Sequence, residues 1–157
     1  MKINCIKPDK HKFFNKLAAV FHAPEKLYYC GRLPETKAPT IAIVGSRKPS
    51  TYGREIAYRL SYDLTKKGAI IVSGLALGID AVTHKACLEA GGITIAVLGS
   101  GLNYITPYTN RGLAQKIIEQ NGAIISEYAP DMSALPHQFL ERNRIVSGLA
   151  DVIIVVE

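Results

Sequence analysis

From Ile41 onward, short apolar runs alternate with helical patterns, and this alternation restricts the possible folds more than any other feature of the chain. Runs of four to six mostly apolar residues are typical of strands that are covered on both faces. Helical patterns between consecutive strands indicate right-handed βαβ units and a parallel sheet. The predicted strands are 41–44, 69–73, 93–98, 123–126 and 152–156, and the predicted helices are about 54–67, 79–90, 109–120 and 138–149. The sequence therefore predicts an α/β fold, doubly wound and mostly parallel, with helices on both sheet faces.

Glycines follow three of the four helical patterns, at Gly68, Gly91-Gly92 and Gly122. A helix commonly ends with a residue in the left-handed conformation, and glycine adopts this conformation without steric cost. The three positions support the register of the predicted elements.

The first part of the chain has a different pattern, and we expect residues 1–38 to form an N-terminal extension of the domain at 39–157. Residues 1–10 resemble an arm, and the apolar spacing in 12–22 predicts a short helix. Leu27–Gly31 predicts an extended segment, and Pro34–Pro39 predicts a linker.

Length and composition limit the class of protein. At 157 residues and 48% hydrophobic residues, the chain can form one domain with a full core. No apolar run approaches the length of a membrane span, and the N-terminus lacks a signal-peptide pattern. Three cysteines without Cys-x-x-Cys spacing suit a reducing compartment and predict no metal site. We expect a cytoplasmic protein with no membrane partner.

The net charge of +6 is distributed unevenly. Residues 1–60 contain twelve Lys and Arg against four Asp and Glu, whereas residues 61–157 contain seven against nine. This bias favours a polyanionic partner for the first part of the chain. An even scatter of lysines that keeps a small protein soluble is the alternative.

The loop after the first strand of the core fold predicts an anion site. Gly45 permits a turn, Ser46 and Arg47 add a hydroxyl and a guanidinium, and Ser50 and Gly53 precede an amphipathic helix. Free amide groups at such a helix start are expected to face the ligand.

Glycine and small polar residues also follow the next two strands. Ser73, Gly74 and Gly78 follow the second strand, and Gly99 and Gly101 follow the third. Because ligands of open parallel sheets bind beyond the carboxyl ends of the strands, we expect these residues to line one site. Tight turns without a binding role are the alternative.

Several catalytic motifs are absent from the sequence. Tyr104 stands where a dinucleotide fingerprint starting at Gly99 needs its third glycine, and no lysine follows Gly53 as a P-loop requires. No nucleophile elbow, zinc-protease motif or carboxylate pair is present. The sequence therefore predicts a binding protein that is not an enzyme and has no cofactor.

At this level of detail the chain resembles the DprA/Smf family of DNA-processing proteins. The resemblance rests on six ordered motifs between about residues 27 and 157: Ile-Val-Gly45-Ser-Arg47, Ser50-x-Tyr-Gly53, Ser73-Gly-Leu-Ala-x-Gly78-Ile-Asp80-x-x-x-His84, Val97-Leu-Gly-x-Gly101-Leu, Ile125-Ser-Glu127 and Phe139-x-x-Arg142-Asn-Arg144-Ile-Val-x-Gly148-Leu. It implies a Rossmann-like domain that binds and protects single-stranded DNA during natural transformation and loads the RecA recombinase, without catalysis.

The resemblance also implies roles for individual residues. Arg47 is expected to contact a DNA phosphate, with the amides of Ser46 and Arg47 beside it, and Ser73 and Gly74 are expected to form the adjacent wall. The complete set of expected phosphate-binding residues is Gly45, Ser46, Arg47, Ser50, Gly53, Ser73, Gly74, Gly78, Gly99, Gly101, Arg142 and Asn143. Asp80 and His84, in contrast, are expected to have a structural role, capping and packing the helix that starts at about residue 79.

Two choices remain open among these residues. Arg142 and Arg144 lie about 200° apart on a helix, so we expect Arg142 at the pocket and Arg144 paired with an acid such as Glu141 or Asp151. Tyr104 and Tyr108 are expected to stack on unpaired bases, or else merely to cover the sheet edge.

The resemblance further implies that the family continues past Glu157, with the surface used for dimerisation and RecA contact. We therefore expect a possible homodimer whose interface is largely missing here. The alternative function is that of a nucleotide-binding or nucleotide-hydrolysing domain in the related phosphoribohydrolase-like superfamily. Gly91-Gly92 does not reproduce the Pro-Gly-Gly-x-Gly-Thr-x-x-Glu motif of those hydrolases.

Overall fold

A single seven-stranded sheet organises the protein, as seen in a computed structural model that describes residues 2–35 and 37–157. The strand order is β1-β2-β6-β5-β4-β3-β7, and strands β3 to β7 are mutually parallel. The strands are β1 Asn4–Ile6, β2 Leu27–Gly31, β3 Thr40–Gly45, β4 Ile70–Ser73, β5 Thr94–Val97, β6 Ala123–Ser126 and β7 Val152–Val156. The predicted fold class and the five core strands are confirmed, with boundaries within two residues.

Helices cover both faces of the sheet. They are α1 Thr51–Lys66, α2 Ile79–Glu89, α3 Arg111–Glu119 and α4 Pro136–Leu149. The buried side chains of α4 pack on one face, and those of α1, α2 and α3 pack on the other. Strand β3 lies between β4 and β7. The chain therefore continues from β3 to β4 on one side, and its last strand, β7, is added on the other side of β3. This reversal of strand order creates a crevice at the carboxyl end of β3.

The N-terminal extension is part of the same sheet. Strand β1 pairs antiparallel with β2, and β2 pairs antiparallel with β6. The arm expected over residues 1–10 is therefore partly a strand, because Asn4–Ile6 gains backbone partners there. The predicted helix is a 3₁₀ helix, Lys12–Ala19, whose Phe14 and Leu17 are fully buried in the core beneath α4. The proposed linker includes Thr36, which lies outside the described residues.

Two of the three predicted glycine caps have the expected conformation. Gly68 and Gly91 adopt φ of 88° and 78°. After α3 the left-handed residue is Asn121, with φ of 62°, so Gly122 was the wrong choice at that helix end. Gly122 is required for another reason, since a Cβ there would press against the Thr94 carbonyl and Ile117.

The described residues contain no helix with the length and apolar character needed to span a membrane. All three cysteines are free thiols. Cys5 is exposed, whereas Cys30 and Cys87 are buried in the core.

A buried histidine joins α2 to the sheet. The His84 ring lies 2.6 Å from the Thr94 hydroxyl, measured from Nδ1 to Oγ1, and that hydroxyl donates to the Ile71 carbonyl at 2.9 Å. Because the hydroxyl hydrogen is already donated, Nδ1 is the donor to Oγ1, and the ring is neutral near pH 7 because its pKa is low. Burial lowers the pKa of His84 to about 3. The expected packing role of His84 agrees with this position.

This histidine predicts acid sensitivity of the fold. Protonation of His84 occurs at its ordinary pKa in the unfolded chain and only near pH 3 in the folded chain, so stability falls as pH decreases below 6.5. Between about pH 7 and about pH 5, His84 alone should remove about 2 kcal/mol of unfolding free energy. Urea titrations at both pH values measure this loss.

His84→Gln should reduce the pH dependence by that amount, whatever its effect on stability at neutral pH. His137→Gln is the matched control, because the His137 side chain is exposed to water in the folded protein. An unchanged pH dependence in His84→Gln would contradict the assignment.

Candidate nucleic-acid interface

A crevice opens at the carboxyl edge of the sheet, where β3 lies between β4 and β7. Two adjoining cavities of about 260 and 110 Å³ share four lining residues, Arg47, Gly74, Ala76 and Phe139. The larger cavity extends to Gly45, Asp80, Leu140, Arg142 and Asn143, and the smaller one extends to Leu77, Thr106 and Pro107. We call the two cavities together the Arg47 pocket. The loop after β3, the loop after β4 and the start of α4 build its walls.

Arg47 presents an available positive charge at this pocket. Its side chain is exposed, and its guanidinium carbon lies 5.5 Å from the centre of the Phe139 ring. A guanidinium over an aromatic face is held in place by the negative potential of the ring. Arg47 is absent from every ion pair found among the described residues. Its donors therefore remain free for an anion.

Arg142 forms the floor of the pocket. Only 4% of its surface is exposed, and its Nη1 donates to the carbonyls of Gly74, at 2.6 Å, and Val97. On the other side of the same peptide segment, the Asp80 carboxylate accepts from the amides of Gly74, at 3.1 Å, and Ala76, at 3.3 Å. The Gly74 peptide therefore connects a buried cation to a buried anion.

The charges in the pocket do not cancel completely. Burial raises the pKa of Asp80 above its ordinary value, and the positive charge of Arg142 opposes this rise. Burial also lowers the pKa of Arg142, which Asp80 opposes and nearby Arg47 reinforces. An arginine keeps its proton in proteins, so Arg142 and Arg47 both carry positive charge. With Asp80 ionised, the pocket retains one excess positive charge, and Arg47 presents it to solvent.

Three amides at or next to the start of α1, those of Ser46, Ser50 and Gly53, already have partners within the chain. The Glu157 carboxylate accepts from the Ser50 amide, at 2.7 Å, and from the Ser50 hydroxyl. That hydroxyl caps α1 by accepting from the Gly53 amide at 3.0 Å, and the Ser46 amide donates to the Glu157 carbonyl at 2.9 Å. The hydrogen bonds from Ser50 lower the pKa of Glu157. An internal carboxylate thus occupies the helix start, because it supplies the negative charge that such a start favours.

Two amides of the loop after β4 also have an internal partner. Asp80 takes those of Gly74 and Ala76, and Leu75 adopts φ of 59° with its side chain fully buried. A non-glycine residue in this region costs roughly 1–3 kcal/mol, which the surrounding packing must offset. The loop is thereby wrapped around the Asp80 carboxylate. Asp80 therefore secures the loop before α2, where a cap of the helix itself was expected.

Several predicted site residues occupy packing positions. Ser73 is fully buried, and its hydroxyl donates to the Ile43 carbonyl at 2.7 Å. A Cβ at Gly45 would meet the β7 backbone, one at Gly78 would meet the loop at Ser46 and Arg47, and one at Gly101 would meet Ala129 and Pro130. Gly99 packs against Phe139 and Gln138. These glycines allow backbone segments to approach closely around the pocket, and the Gly101 amide already donates to the Met132 carbonyl.

The two arginines of α4 point in different directions, as their spacing predicts. Arg142 reaches the pocket, whereas Arg144 forms a bidentate ion pair with Glu127 at 2.6 and 2.7 Å. The acids expected to pair with Arg144 were Glu141 and Asp151, but Glu141 accepts from Tyr128 and Asp151 pairs with Lys16. Asn143 is exposed beside the pocket, and its side-chain oxygen accepts from Arg142 Nε at 3.2 Å.

Tyr104 and Tyr108 are on the same edge but outside the lining of the Arg47 pocket. They are 47% and 74% exposed, and the Arg111 guanidinium lies 4.4 Å from the centre of the Tyr108 ring. Both rings therefore present an aromatic surface to solvent. Stacking on bases stays a prediction.

The sequence did not single out the apolar part of the pocket. Phe139 lies under Arg47, and Leu77 and Leu140 are 48% and 76% exposed beside it. Exposed apolar residues at a pocket mark a binding surface. The only available signal was the position of Phe139, three residues before Arg142 on the same helix face.

The fold and the pocket define a Rossmann-like domain with a cationic, partly apolar site at its topological switch point. A model of the family described as DNA recombination-mediator protein A matches residues 4–157. The chain belongs to this family.

Sequence relatives and solved structures agree with this assignment. Protein Smf of Escherichia coli is 41% identical over 97% of this chain, and DNA processing protein DprA of Streptococcus pneumoniae is 41% identical over 90% of it. The X-ray structure of DprA from S. pneumoniae superposes with a TM-score of 0.88, at 35% identity, over all of this chain and 55% of that one. DprA from Helicobacter pylori, whose structure is described in terms of its single-stranded DNA binding mode, superposes with a TM-score of 0.83 at 34% identity, over 99% of this chain and 69% of that one.

The chain spans 41% of the length of E. coli Smf and 49% of that of S. pneumoniae DprA. Molybdenum cofactor carrier proteins of Chlamydomonas reinhardtii superpose with TM-scores up to 0.52 at 20–22% identity, which shows a shared fold alone.

The packing of Gly74 generates a stability prediction. A Cβ at Gly74 would contact the Arg142 guanidinium, which two carbonyls hold in place. We expect Gly74→Ala to lower the unfolding free energy by about 1–3 kcal/mol, as other overpacked sites do. Denaturant titration measures the change.

Gly112→Ala is the matched control, because Gly112 lies in α3 with open space at its Cβ position. That substitution should stabilise the protein by about 0.4–1 kcal/mol. Equal effects of the two substitutions would show that Gly74 is not needed for the packing of Arg142.

Proposed function

We propose that this chain binds single-stranded DNA at the Arg47 pocket, with little sequence preference. The observation that carries the proposal is the exposed Arg47 guanidinium, which lies over Phe139 and has no acidic partner among the described residues. A guanidinium suits a phosphate because its planar donors can pair with two oxygens. Family membership and the single-stranded DNA binding described for the H. pylori relative support the same function.

In this proposal the side chain of Arg47 supplies most of the recognition of the backbone. The Ser50 amide is engaged by Glu157, and the amides of Gly74 and Ala76 in the loop after β4 are engaged by Asp80. Arg142 is buried and acts through its charge, holding a positive potential beneath the phosphate. Neither arginine reads a base edge, so binding should depend weakly on sequence.

The apolar residues of the pocket are suited to unpaired bases. Phe139 and Leu77 line the cavity beside Arg47, and Pro107 closes its far side. Bases of a single strand are free to stack on aromatic and apolar side chains, whereas those of a duplex are already stacked. The combination of one cation and apolar surface therefore favours a single strand over a duplex.

Wider roles in natural transformation, including the protection of incoming strands, delivery to RecA and assembly as a homodimer, form part of the proposal. They rest on family membership, since this chain covers about half of its relatives' length. Delivery to RecA is tested by the rate at which RecA assembles on single-stranded DNA coated with a single-strand-binding protein, measured with and without this chain.

Arg47→Ala should weaken single-stranded DNA binding several-fold. It should also reduce the slope of log K against log salt by about 0.7, because one phosphate contact is lost from a single strand. Fluorescence anisotropy with a labelled oligothymidylate at several salt concentrations measures both quantities. Arg59→Ala is the matched control, since it removes an exposed arginine from the middle of α1.

An equal effect of the two substitutions would contradict a specific role for Arg47. Competition by a mononucleotide at concentrations similar to the oligonucleotide, or its conversion to a product, would instead favour a nucleotide-processing domain.

Tyr108 tests the stacking prediction. Tyr108→Ala should weaken binding by about 1–3 kcal/mol if one base stacks on the ring, whereas Tyr108→Phe keeps the ring and should bind as the unaltered protein does. The same anisotropy titration measures both variants. Loss of binding in Tyr108→Phe would assign the effect to the hydroxyl and not to stacking.

A further inference from the structure

A second basic depression lies next to the Arg47 pocket, between α2 and α3. It is a groove of about 430 Å³ whose lining includes Lys85, Glu89, Thr109, Asn110, Lys116 and Gln120. We call it the α2–α3 groove. None of its residues lines the Arg47 pocket, so the two depressions have separate walls.

The loop before α3 connects the groove directly to the pocket. Thr106 and Pro107 line the pocket, Thr109 and Asn110 line the groove, and the exposed Tyr108 lies between them. The Asn110 side chain also donates to the carbonyls of Leu75, at 2.8 Å, and Ala76, at 3.2 Å. Because Asn110 lines the groove and Ala76 lines the pocket, the hydrogen bond between them joins the two linings. Segment 106–110 therefore runs from the lining of the pocket to the lining of the groove.

The charges of the groove favour an anion. Lys85 and Lys116 are exposed on facing helices, and neither forms an ion pair within the described residues. Glu89 is the one carboxylate of the lining, and it accepts a hydrogen bond from Tyr58 at 2.5 Å, on the side of α1. Arg111, at the start of α3, places a further cation over the Tyr108 ring. The lining therefore has more positive than negative charge, and its polar groups Thr109 and Gln120 are compatible with a sugar-phosphate chain.

We propose that the α2–α3 groove is a second binding site for the backbone of the same DNA strand. Lys85 and Lys116 contact phosphates, and Tyr108 marks the point where the strand passes from the Arg47 pocket into the groove. This inference rests on the proposed function of the pocket and extends it by giving the strand a path. Helix α3 contributes about 14 Å to that path, from its nine residues at about 1.5 Å each.

The experiment compares oligothymidylates of about 4 and about 16 nucleotides, a range that covers the site sizes of small single-strand binders. The double variant Lys85→Gln and Lys116→Gln should weaken binding of the longer strand about 3- to 10-fold. It should also reduce its salt slope by about 1.4, as expected for two phosphate contacts with a single strand. Binding of the shorter strand, which the pocket alone accommodates, should stay within about 1.5-fold of that of the unaltered protein, because it loses no phosphate contact.

The control is the double variant Lys66→Gln and Lys67→Gln, which removes the same charge from the end of α1 at the opposite edge of the sheet. If this control weakens binding of the longer strand as much as the groove variant does, the effect comes from net charge alone, and the proposal is overturned. Equal weakening of both strand lengths by the groove variant would also overturn it, as would no weakening of either.

The two levels of the proposal fail in distinguishable ways. Arg47→Ala should weaken binding of both strand lengths. If Arg47→Ala has this effect and the groove variant has none, the pocket proposal stands and the groove proposal is overturned. If the unaltered chain binds neither strand, the pocket proposal and the groove proposal are both overturned. Thermal unfolding of each variant, expected within about 2 °C of the unaltered protein because exposed substitutions rarely change stability, excludes an effect through misfolding.

Discussion

The buried guanidinium of Arg142 holds the carboxyl edge of the sheet together. It donates to carbonyls at the ends of β4 and β5, and Asp80 binds the opposite side of the Gly74 peptide. Removing one partner of such a buried charge system typically costs about 3–5 kcal/mol, because the other charge is left uncompensated. The first helical residues of α2, the loop after β4 and the middle of α4 are consequently fixed relative to one another. The positions of Arg47 and Phe139 depend on this arrangement.

Internal carboxylates determine how the site can recognise an anion. Glu157 accepts from the Ser50 amide before α1, and Asp80 accepts from the amides of Gly74 and Ala76 in the loop after β4. In many phosphate-binding α/β proteins those amides contact the ligand directly. Here the available positive group is the exposed side chain of Arg47, which lies over the Phe139 ring.

Local pattern was sufficient for the elements and for the position of Arg47 in the fold. The apolar runs gave the five parallel strands, and Arg47 was placed at the carboxyl end of β3 because parallel strands end at a common edge. The spacing of Arg142 and Arg144 also predicted that only one of them faces the pocket. In contrast, the helix end at Asn121 was missed because Asn and Gly compete for the same left-handed position. The partner of Arg144 was missed because Glu127 is close only after β6 and α4 have packed.

The sequence by itself determined the α/β class, the order of the elements and the presence of a cation at the switch point, since these follow from periodicity and chain direction. Tertiary structure alone decided which polar groups were already engaged. Ser73, Asp80 and Glu157 carry the same side chains whether they face a ligand or another part of the chain, and only the folded geometry assigns them internal partners. The reason is that hydrogen bonds between distant segments depend on distances of about 3 Å, which no local pattern encodes.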